Sequence, residues 1–207
     1  MSELFSQWYF TCGAAYAMSV KNFKSRGVLA LFIYFTMLFN GGLVANYLLT
    51  TKFLHLQNNI LVLLLPSFCN AWNILLMRNF FSGIPASLAE SAKIDGANDI
   101  TILIKIIIPI SLPGIATIGL FYALTYWNEW YKCLLYIDSS HSQYYTLQYL
   151  IQQILRQVNY AANQPAEAVG LNSLTLPTYA YRMATIIVAI GPIILLYPFL
   201  QKYLYRV

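Results

Sequence analysis

The sequence predicts an all-α fold, a polytopic membrane helical bundle with about five spans in these 207 residues. Composition is the first reason, because 59% of the residues are hydrophobic and only 9% are charged, against about 25% in an average soluble domain. The second reason is that apolar residues gather in stretches close to the roughly 20 residues that a spanning helix needs. A helix satisfies its own backbone hydrogen bonds inside a bilayer, so these stretches are predicted to be helical. We therefore expect one membrane domain over residues 1–207.

Five apolar segments are candidate spans, and basic residues beside them predict their orientation. The segments are residues 4–18, 28–49, 60–77, 106–135 and 185–204, of which the first is short. Basic residues mark the cytoplasmic ends of spans, and here they group at three places: Lys21, Lys24 and Arg26; Arg78, Lys93 and Lys105; Lys202 and Arg206. This pattern places residues 78–105 in the cytoplasm and residues 136–182 outside. It also places the amino terminus outside, which indicates that a preceding segment is missing.

The cytoplasmic connection of residues 78–105, called the connecting segment below, is predicted to begin with a short helix. Ser87 and Glu90 fit a capping box, in which each side chain satisfies a free backbone donor at the start of a helix. The pattern predicts a helix that covers residues 90–95.

The same segment is predicted to turn sharply and to continue as a second helix. Gly96 suits the left-handed conformation that ends many helices, because glycine adopts positive φ without a steric penalty. Asn98 or Asp99 can then cap the next helix, which runs toward the fourth apolar segment.

The spacing of these residues resembles the EAA loop of binding-protein-dependent ABC permeases. That pattern is Glu-Ala-Ala, three residues, Gly, nine residues, Ile, one residue and Leu-Pro. The matching residues here are Glu90, Ser91, Ala92, Gly96, Ile106, Ile108 and Pro109. Ser91 replaces Ala and Ile108 replaces Leu, and both changes are mild. Asp95 and Ala97 complete the Asp-Gly-Ala form common in the sugar-importing branch. The alternative, an ordinary loop with an Asp-Gly turn, does not explain the full spacing.

Other motifs extend this resemblance over nearly the whole chain. Residues 78–81, Trp127 with Asn128, and residues 197–203 are similar to the second permease subunit of oligosaccharide importers, above all the polysaccharide type of Gram-positive bacteria. The resemblance implies a type I ABC importer permease-like fold, which has six spans in intact members. Relative to them, the chain lacks the first span, part of the second and the usual carboxyl tail.

The resemblance also implies a function and a set of partners. The chain would be the permease subunit of an ATP-driven importer that translocates a sugar or oligosaccharide delivered by an extracellular binding protein. Its implied partners are a second permease subunit, an ABC ATPase dimer and membrane lipid. ATP and Mg²⁺ would be bound by the ATPase, so no cofactor is expected on this chain. The residues implied to couple to the ATPase are Glu90, Ser91, Ala92, Asp95, Gly96, Ala97, Ile106 and Pro109.

Polar residues within the apolar segments are candidates for lining a translocation path, because such residues usually face a bundle interior or a cavity. Asn70 and Asn73 lie one helical turn apart in the third segment. Trp127, Asn128 and Glu129 lie toward the outer end of the fourth, and hydroxyl-rich sugars need both hydrogen bonds and aromatic faces. The alternatives are that the asparagines join helices and that the aromatic residues belong to an interfacial belt.

The outer loop is predicted to contain an amphipathic helix over residues 147–158. Its apolar stripe consists of Leu147, Leu150, Ile151, Ile154, Leu155 and Val158, opposite Gln148, Gln152, Gln153 and Arg156. The helix either lies on the bilayer surface or, as the resemblance implies for this loop, faces the sugar-binding protein.

Other classes of function find less support in the residues. No catalytic constellation, metal-ligand spacing or Gly-rich phosphate loop is present, so we expect neither an enzyme nor a metal site. The basic residues are scattered between apolar segments, which argues against nucleic acid as a partner. A secondary transporter or channel is an alternative, because hydropathy alone does not separate it from an ABC permease. Ion-coupled carriers usually bury charged residues within their spans, however, and the five apolar segments of this chain hold almost none. A non-functional permease remnant is the third alternative.

Overall fold

The computed structural model describes residues 2–20, 23–163 and 178–204, and every regular element within those ranges is a helix. The α-helices are α1 (Ser2–Ser19), α2 (Arg26–Leu38), α3 (Gly42–Leu48), α4 (Leu61–Phe68), α5 (Ala71–Ser82), α6 (Ala86–Ile94), α7 (Asp99–Ile102), α8 (Ile108–Ile110), α9 (Leu112–Trp127), α10 (Tyr131–Tyr136), α11 (Leu147–Asn163) and α12 (Thr178–Leu204). A π-helical turn at Leu49–Phe53 extends α3, a second at Leu103–Ile107 joins α7 to α8, and a 3-10 helix covers Ser139–Tyr144. The predicted all-α fold is confirmed.

Three of the five predicted spans are bent instead of forming single helices. The second is divided between α2 and α3, the third between α4 and α5, and the fourth among α8, α9 and α10. The α4–α5 pair bends by 42°, and the stretch from α7 to α8 turns by 84° into α9. Among the described residues, no helix taken alone has both the length and the apolarity to cross a membrane, whereas three bent pairs, including α2 with α3, meet both conditions by length and composition.

Local backbone chemistry explains these bends. Gly42 adopts a φ of +80° between α2 and α3, a conformation that glycine reaches without strain. Pro66 interrupts the hydrogen-bond ladder of α4, and Asn70 is extended where α5 begins. Ser111 leaves the helical path between two prolines, at the bend before α9. The sequence interpretation counted apolar length and did not weigh these helix-breaking positions.

The chain divides into two compact units. Unit 1 consists of Met1–Asn46, Leu64–Ala123 and Leu200–Val207, and unit 2 consists of Tyr47–Leu63 and Leu124–Phe199. The single membrane domain over residues 1–207 stays a prediction, and the two units are described separately below.

The core of unit 1 is built where α1 packs against α5. Ala15, Met18, Ile74 and Met77 are 0% exposed there. Buried hydrogen bonds add to this packing, as is common between membrane helices. The hydroxyl oxygens of Thr11 and Tyr122 lie 2.8 Å apart, so α1 is also joined to α9.

Two aromatic rings of unit 1 lie directly on glycine backbone of α9. A Cβ built on Gly114 would be 2.7 Å from Cγ of Phe80, and a Cβ built on Gly119 would be 2.5 Å from the ring of Trp8. Real Cβ atoms do not come this close to other atoms, so only glycine fits at either position without a shift. The Phe80 contact joins the last turn of α5 to the first turn of α9, which are the two helices on either side of the connecting segment.

Unit 2 contains a reciprocal polar contact between two loops. Asn58 Nδ2 donates to Asp138 Oδ2 at 2.8 Å, and the Asp138 backbone N–H donates to Asn58 Oδ1 at 2.8 Å. The Asn58 N–H also donates to the Tyr136 carbonyl at 3.0 Å. These three bonds hold the loop before α4 against the end of α10.

The predicted outer helix is present, although its buried face differs from the prediction. α11 covers Leu147–Asn163, and Tyr149 and Ile151 are its buried residues, at 7% and 6% exposure. Leu147, Leu150 and Ile154 are each about 40% exposed. The predicted stripe is therefore split, because its sequence pattern does not reveal that Tyr149 turns inward.

We expect Gly114→Ala to lower the stability of the detergent-solubilised protein by about 1–3 kcal/mol, because the new methyl group meets the Phe80 ring. Phe80→Ala in the same chain should remove most of this penalty. Gly13→Ala is the matched control, since nothing lies within 4 Å of a Cβ there, and it should be neutral or slightly stabilising. Thermal unfolding of the three variants and the parent protein measures these differences, and an unchanged Gly114→Ala protein would contradict the contact.

Candidate functional site

The first helix of the connecting segment begins earlier than predicted. α6 covers Ala86–Ile94 and has Pro85 at its N-cap position, with no side-chain cap. The Pro85 carbonyl accepts a hydrogen bond from the Leu88 N–H at 3.2 Å. Proline has a fixed φ and no N–H to leave unsatisfied, so it starts a helix without a capping side chain. The predicted capping box of Ser87 and Glu90 is therefore wrong, and Ser87 lies within the first turn.

The turn that ends α6 has the predicted left-handed glycine. Gly96 has a φ of +81°. Its N–H donates to the Lys93 carbonyl at 3.0 Å, and the Ala97 N–H donates to the Ala92 carbonyl at 2.9 Å. This pair of bonds is a Schellman motif, which satisfies carbonyls at a helix end. Nothing lies within 4 Å of a Cβ built on Gly96, so the requirement for glycine is conformational.

The second helix of the segment is capped as predicted and is tied back to the first. Asn98 is the N-cap of α7, and its Oδ1 accepts from the Thr101 N–H at 2.8 Å. Lys93 Nζ lies 2.9 Å from Asp99 Oδ1, across the turn. The hydrogen bond that the Lys93 ammonium donates to Asp99 raises the pKa of that ammonium. An exposed ion pair of this kind stabilises by about 0–1 kcal/mol.

The predicted coupling residues divide into an inner group and an outer group. The inner group packs on the core of unit 1, where Ala92 is 8% exposed and Ala97 and Ile106 are half-buried. The outer group is solvent-exposed, and it consists of Glu90, Ser91, Asp95, Gly96 and Pro109. The segment thus presents a mixed outer surface, because Ile94 beside these polar residues is 88% exposed, on an anchored base.

A cleft of about 370 Å³ opens beside α6 in unit 1. Phe81, Ile84 and Ile107 contribute apolar lining, while Arg26, Glu90 and Lys93 contribute charged side chains. The sequence interpretation used Arg26 only as an orientation signal and did not place it beside Glu90. Nothing in the spacing of these residues along the chain reveals that they share a cleft.

The two asparagines of the third predicted span lie at the start of α5. Asn70 is the N-cap, with its Oδ1 accepting from the Asn73 N–H at 3.2 Å. Asn73 is 2% exposed. Asn70 therefore precedes the first residue of α5 and is not itself helical. Its side-chain oxygen is used by the capping bond to Asn73. A role for this pair in a translocation path stays a prediction.

The outer group of predicted path residues belongs to unit 2. Trp127 Nε1 donates to the Ala189 carbonyl at 3.0 Å, and Asn128 is exposed in the turn after α9. Both carboxylate oxygens of Glu129 accept bonds from Lys132, from its N–H at 3.0 Å and from its Nζ at 2.6 Å.

Glu129 is therefore charge-neutralised and also caps α10. Its side chain is 12% exposed and that of Lys132 is 18% exposed. The sequence interpretation did not pair Lys132 with Glu129, although an acid three residues before a base at a helix start is a recognisable signal. A substrate contact by Trp127, Asn128 or Glu129 stays a prediction.

Three bent pairs of helices meet the length and composition for spanning a membrane. The connecting segment adds an exposed helix–turn–helix whose base is buried in unit 1. The chain belongs to the family described as "Binding-protein-dependent transport system inner membrane component", whose family model matches residues 10–206. It is therefore a multi-pass protein of the bacterial cell membrane.

Individual relatives are similar along most of this chain. The polygalacturonan/rhamnogalacturonan transport system permease protein YtcP of Bacillus subtilis (strain 168) is 42% identical over 189 residues, which are 91% of this chain and 64% of YtcP. Protein LplC of the same organism is 37% identical over 198 residues, 95% of this chain and 65% of LplC. The chain thus spans slightly less than two thirds of the length of these two curated relatives.

A solved structure is similar in fold and in sequence. It is a chain in the crystal structure of a bacterial ABC transporter involved in the import of the acidic polysaccharide alginate. The two chains share 34% sequence identity and a TM-score of 0.76, over 97% of this chain and 70% of the other.

We expect Asn98→Ala to loosen α7, because the Thr101 N–H loses its acceptor. Loss of an N-cap costs about 1 kcal/mol, which corresponds to roughly fivefold faster amide exchange. Hydrogen exchange of the peptide containing Thr101, followed by mass spectrometry, measures this. Asn98→Asp keeps an acceptor oxygen and should exchange like the parent protein. Equal protection in the alanine variant would show that the cap does not stabilise α7.

Proposed function

We propose that this chain is the membrane-spanning permease subunit of an ATP-driven ABC importer. The observation that supports this most directly is the geometry of the connecting segment. Its outer residues Glu90, Ser91 and Asp95 are exposed on α6, while Ala92 beneath them is buried. Such a surface fits a docking helix that an ATPase subunit grips from the cytoplasm.

The contacts around α6 make it suitable for transmitting a displacement. The Schellman motif at Gly96 and the cap at Asn98 fix the angle between α6 and α7 through backbone hydrogen bonds. The Phe80 ring then joins the helix before the segment to the helix after it. A push on α6 therefore reaches α5 and α9 together, and this is the mechanical step that couples ATP hydrolysis to transport.

The proposed assembly contains a second permease subunit, an ABC ATPase dimer and an extracellular sugar-binding protein. Membership of a binding-protein-dependent transport family supports these partners. ATP and Mg²⁺ bind to the ATPase, so this chain is a non-catalytic subunit without its own cofactor. Its role is to form the path and to receive the movement.

The proposed substrate is an oligosaccharide, and the names of the relatives favour an acidic one. YtcP is named for polygalacturonan and rhamnogalacturonan transport, and the similar solved structure belongs to an importer of the acidic polysaccharide alginate. Galacturonan carries a carboxylate on each sugar unit, as alginate does. We therefore propose an oligosaccharide that contains uronate units.

Reconstitution of the chain in liposomes with its second permease, the ATPase dimer and the binding protein tests this function. We expect ATP hydrolysis that rises when the binding protein is loaded with oligogalacturonate, together with uptake of that sugar. Uptake driven by an ion gradient without the ATPase would identify a secondary transporter instead. Failure to form a complex with the ATPase would identify a non-functional remnant.

We expect Gly96→Leu to abolish the stimulated ATP hydrolysis while the amount of permease in the membrane stays normal. Residue 96 has a φ of +81°, and a left-handed conformation costs a non-glycine residue about 1–2 kcal/mol. The turn must then change its angle and displace α6. Insertion is unaffected because the apolar segments are unchanged.

Gly96→Asn is the matched control for this variant. Asparagine is close to leucine in size but tolerates the left-handed region better, so it should retain a large part of the stimulation. Equal loss in both variants would show that added bulk, and not backbone conformation, disrupts the docking surface. Normal stimulation in Gly96→Leu would show that the turn does not transmit the movement.

A further inference from the structure

Two arginines of unit 2, Arg156 on α11 and Arg182 on α12, have their side chains along one stretch of α11. The Arg156 guanidinium carbon is 5.8 Å from the centroid of the Trp130 ring. Arg182, in the first turns of α12, donates from Nη2 to Oδ1 of Asn159. Both arginine side chains are exposed. Within the part of the chain that the structure describes, the ion pairs join Lys93 to Asp99 and Lys132 to Glu129, and neither arginine is in one.

The partners that the described residues offer to these two arginines are both uncharged. The attraction of Arg156 to the face of Trp130 uses none of its N–H donors. Asn159 supplies a neutral oxygen to Arg182, which has further donors in its planar fork. Arg156 and Asn159 are three residues apart on α11, so their Cβ atoms are neighbours at about 5–6 Å. The bond to Asn159 thus brings the Arg182 guanidinium to the stretch of α11 that carries Arg156.

A carboxylate bound between two guanidinium groups offsets the repulsion of their like charges. The guanidinium fork matches a carboxylate in shape and binds it through two parallel hydrogen bonds. Tyr160, four residues after Arg156, is 70% exposed and offers an aromatic face beside the pair. The nearby Glu129 does not oppose an anion, because Lys132 neutralises it.

We propose that Arg156 and Arg182 form a carboxylate-binding pair that selects acidic oligosaccharides at the outer side of the permease. The proposal rests on the proposed function, since it concerns the substrate class of that same permease. Successive uronate units present carboxylates along one sugar chain, so two guanidiniums in neighbouring positions hold two of them. A neutral oligosaccharide leaves the repulsion between the arginines in place and gains no such bonds.

Binding to the purified complex, without the binding protein, tests this pair directly. The probe is oligogalacturonate as the free acid, and its methyl ester is the matched neutral sugar. We expect titration calorimetry to show tighter binding of the free acid to the parent complex. In Arg156→Gln with Arg182→Gln, the dissociation constant of the free acid should rise at least about tenfold, because each charge-assisted bond lost is worth at least that factor. Binding of the methyl ester should not change.

Two further variants separate the pair from general charge effects. The double variant Arg156→Lys with Arg182→Lys keeps both charges but loses the planar fork. Its dissociation constant for the free acid should lie between those of the parent and of the glutamine variant. Lys52→Gln removes a cation from a different helix of unit 2 and should bind like the parent.

Three results would overturn the proposal: equal affinity of the parent complex for acid and ester, equal loss of both sugars in the glutamine variant, or no loss at all. Equal loss would assign the arginines to the fold of unit 2. The proposed function is tested separately from this pair. If it is wrong, the reconstituted parent complex will show no ATP-driven uptake. The binding assay does not require ATP hydrolysis.

Discussion

The left-handed backbone of Gly96 is the constraint on which the connecting segment depends. It lets the Ala97 and Gly96 N–H groups close the end of α6, and it sets the direction in which the chain leaves that helix. The cap at Asn98 and the ion pair of Lys93 with Asp99 act on a turn that is already formed. Their contributions are small by comparison, since a surface ion pair adds about 0–1 kcal/mol. The exposed surface of α6 therefore has a fixed orientation before any partner binds.

In each unit, the ion pair among the described residues lies at a turn or at the start of a helix. Where a charge stabilises a turn or a helix start, an opposite charge lies next to it, as Lys132 does beside Glu129. Arg156 on α11 and Arg182 on α12 are the contrasting case, since the described residues that hold them are an aromatic face and an amide.

Helical class, the connecting segment and the outer helix could all be predicted from the sequence, because composition, turn chemistry and periodicity act locally. Gly96 and Asn98 were predictable since their roles involve only neighbouring backbone.

The start of α6 could not be predicted, because Pro85 replaced the expected side-chain cap. Bends within the apolar segments were missed since hydropathy does not register Ser111 or Gly42. The Phe80 contact with Gly114 and the grouping of Arg156 with Arg182 depend on residues distant in the chain, which spacing alone does not reveal.

The rings of Phe80 and Trp8 on the glycines of α9 restrict how that helix can travel. A slide of α9 along its axis by one turn, about 5.4 Å, would bring a residue three or four positions from each glycine under the ring, and such residues carry side chains. For Gly114 these residues are Thr117 and Ile118, and either side chain would displace the Phe80 ring. While the two rings keep their positions, the glycines therefore fix the axial position of α9 relative to α1 and α5.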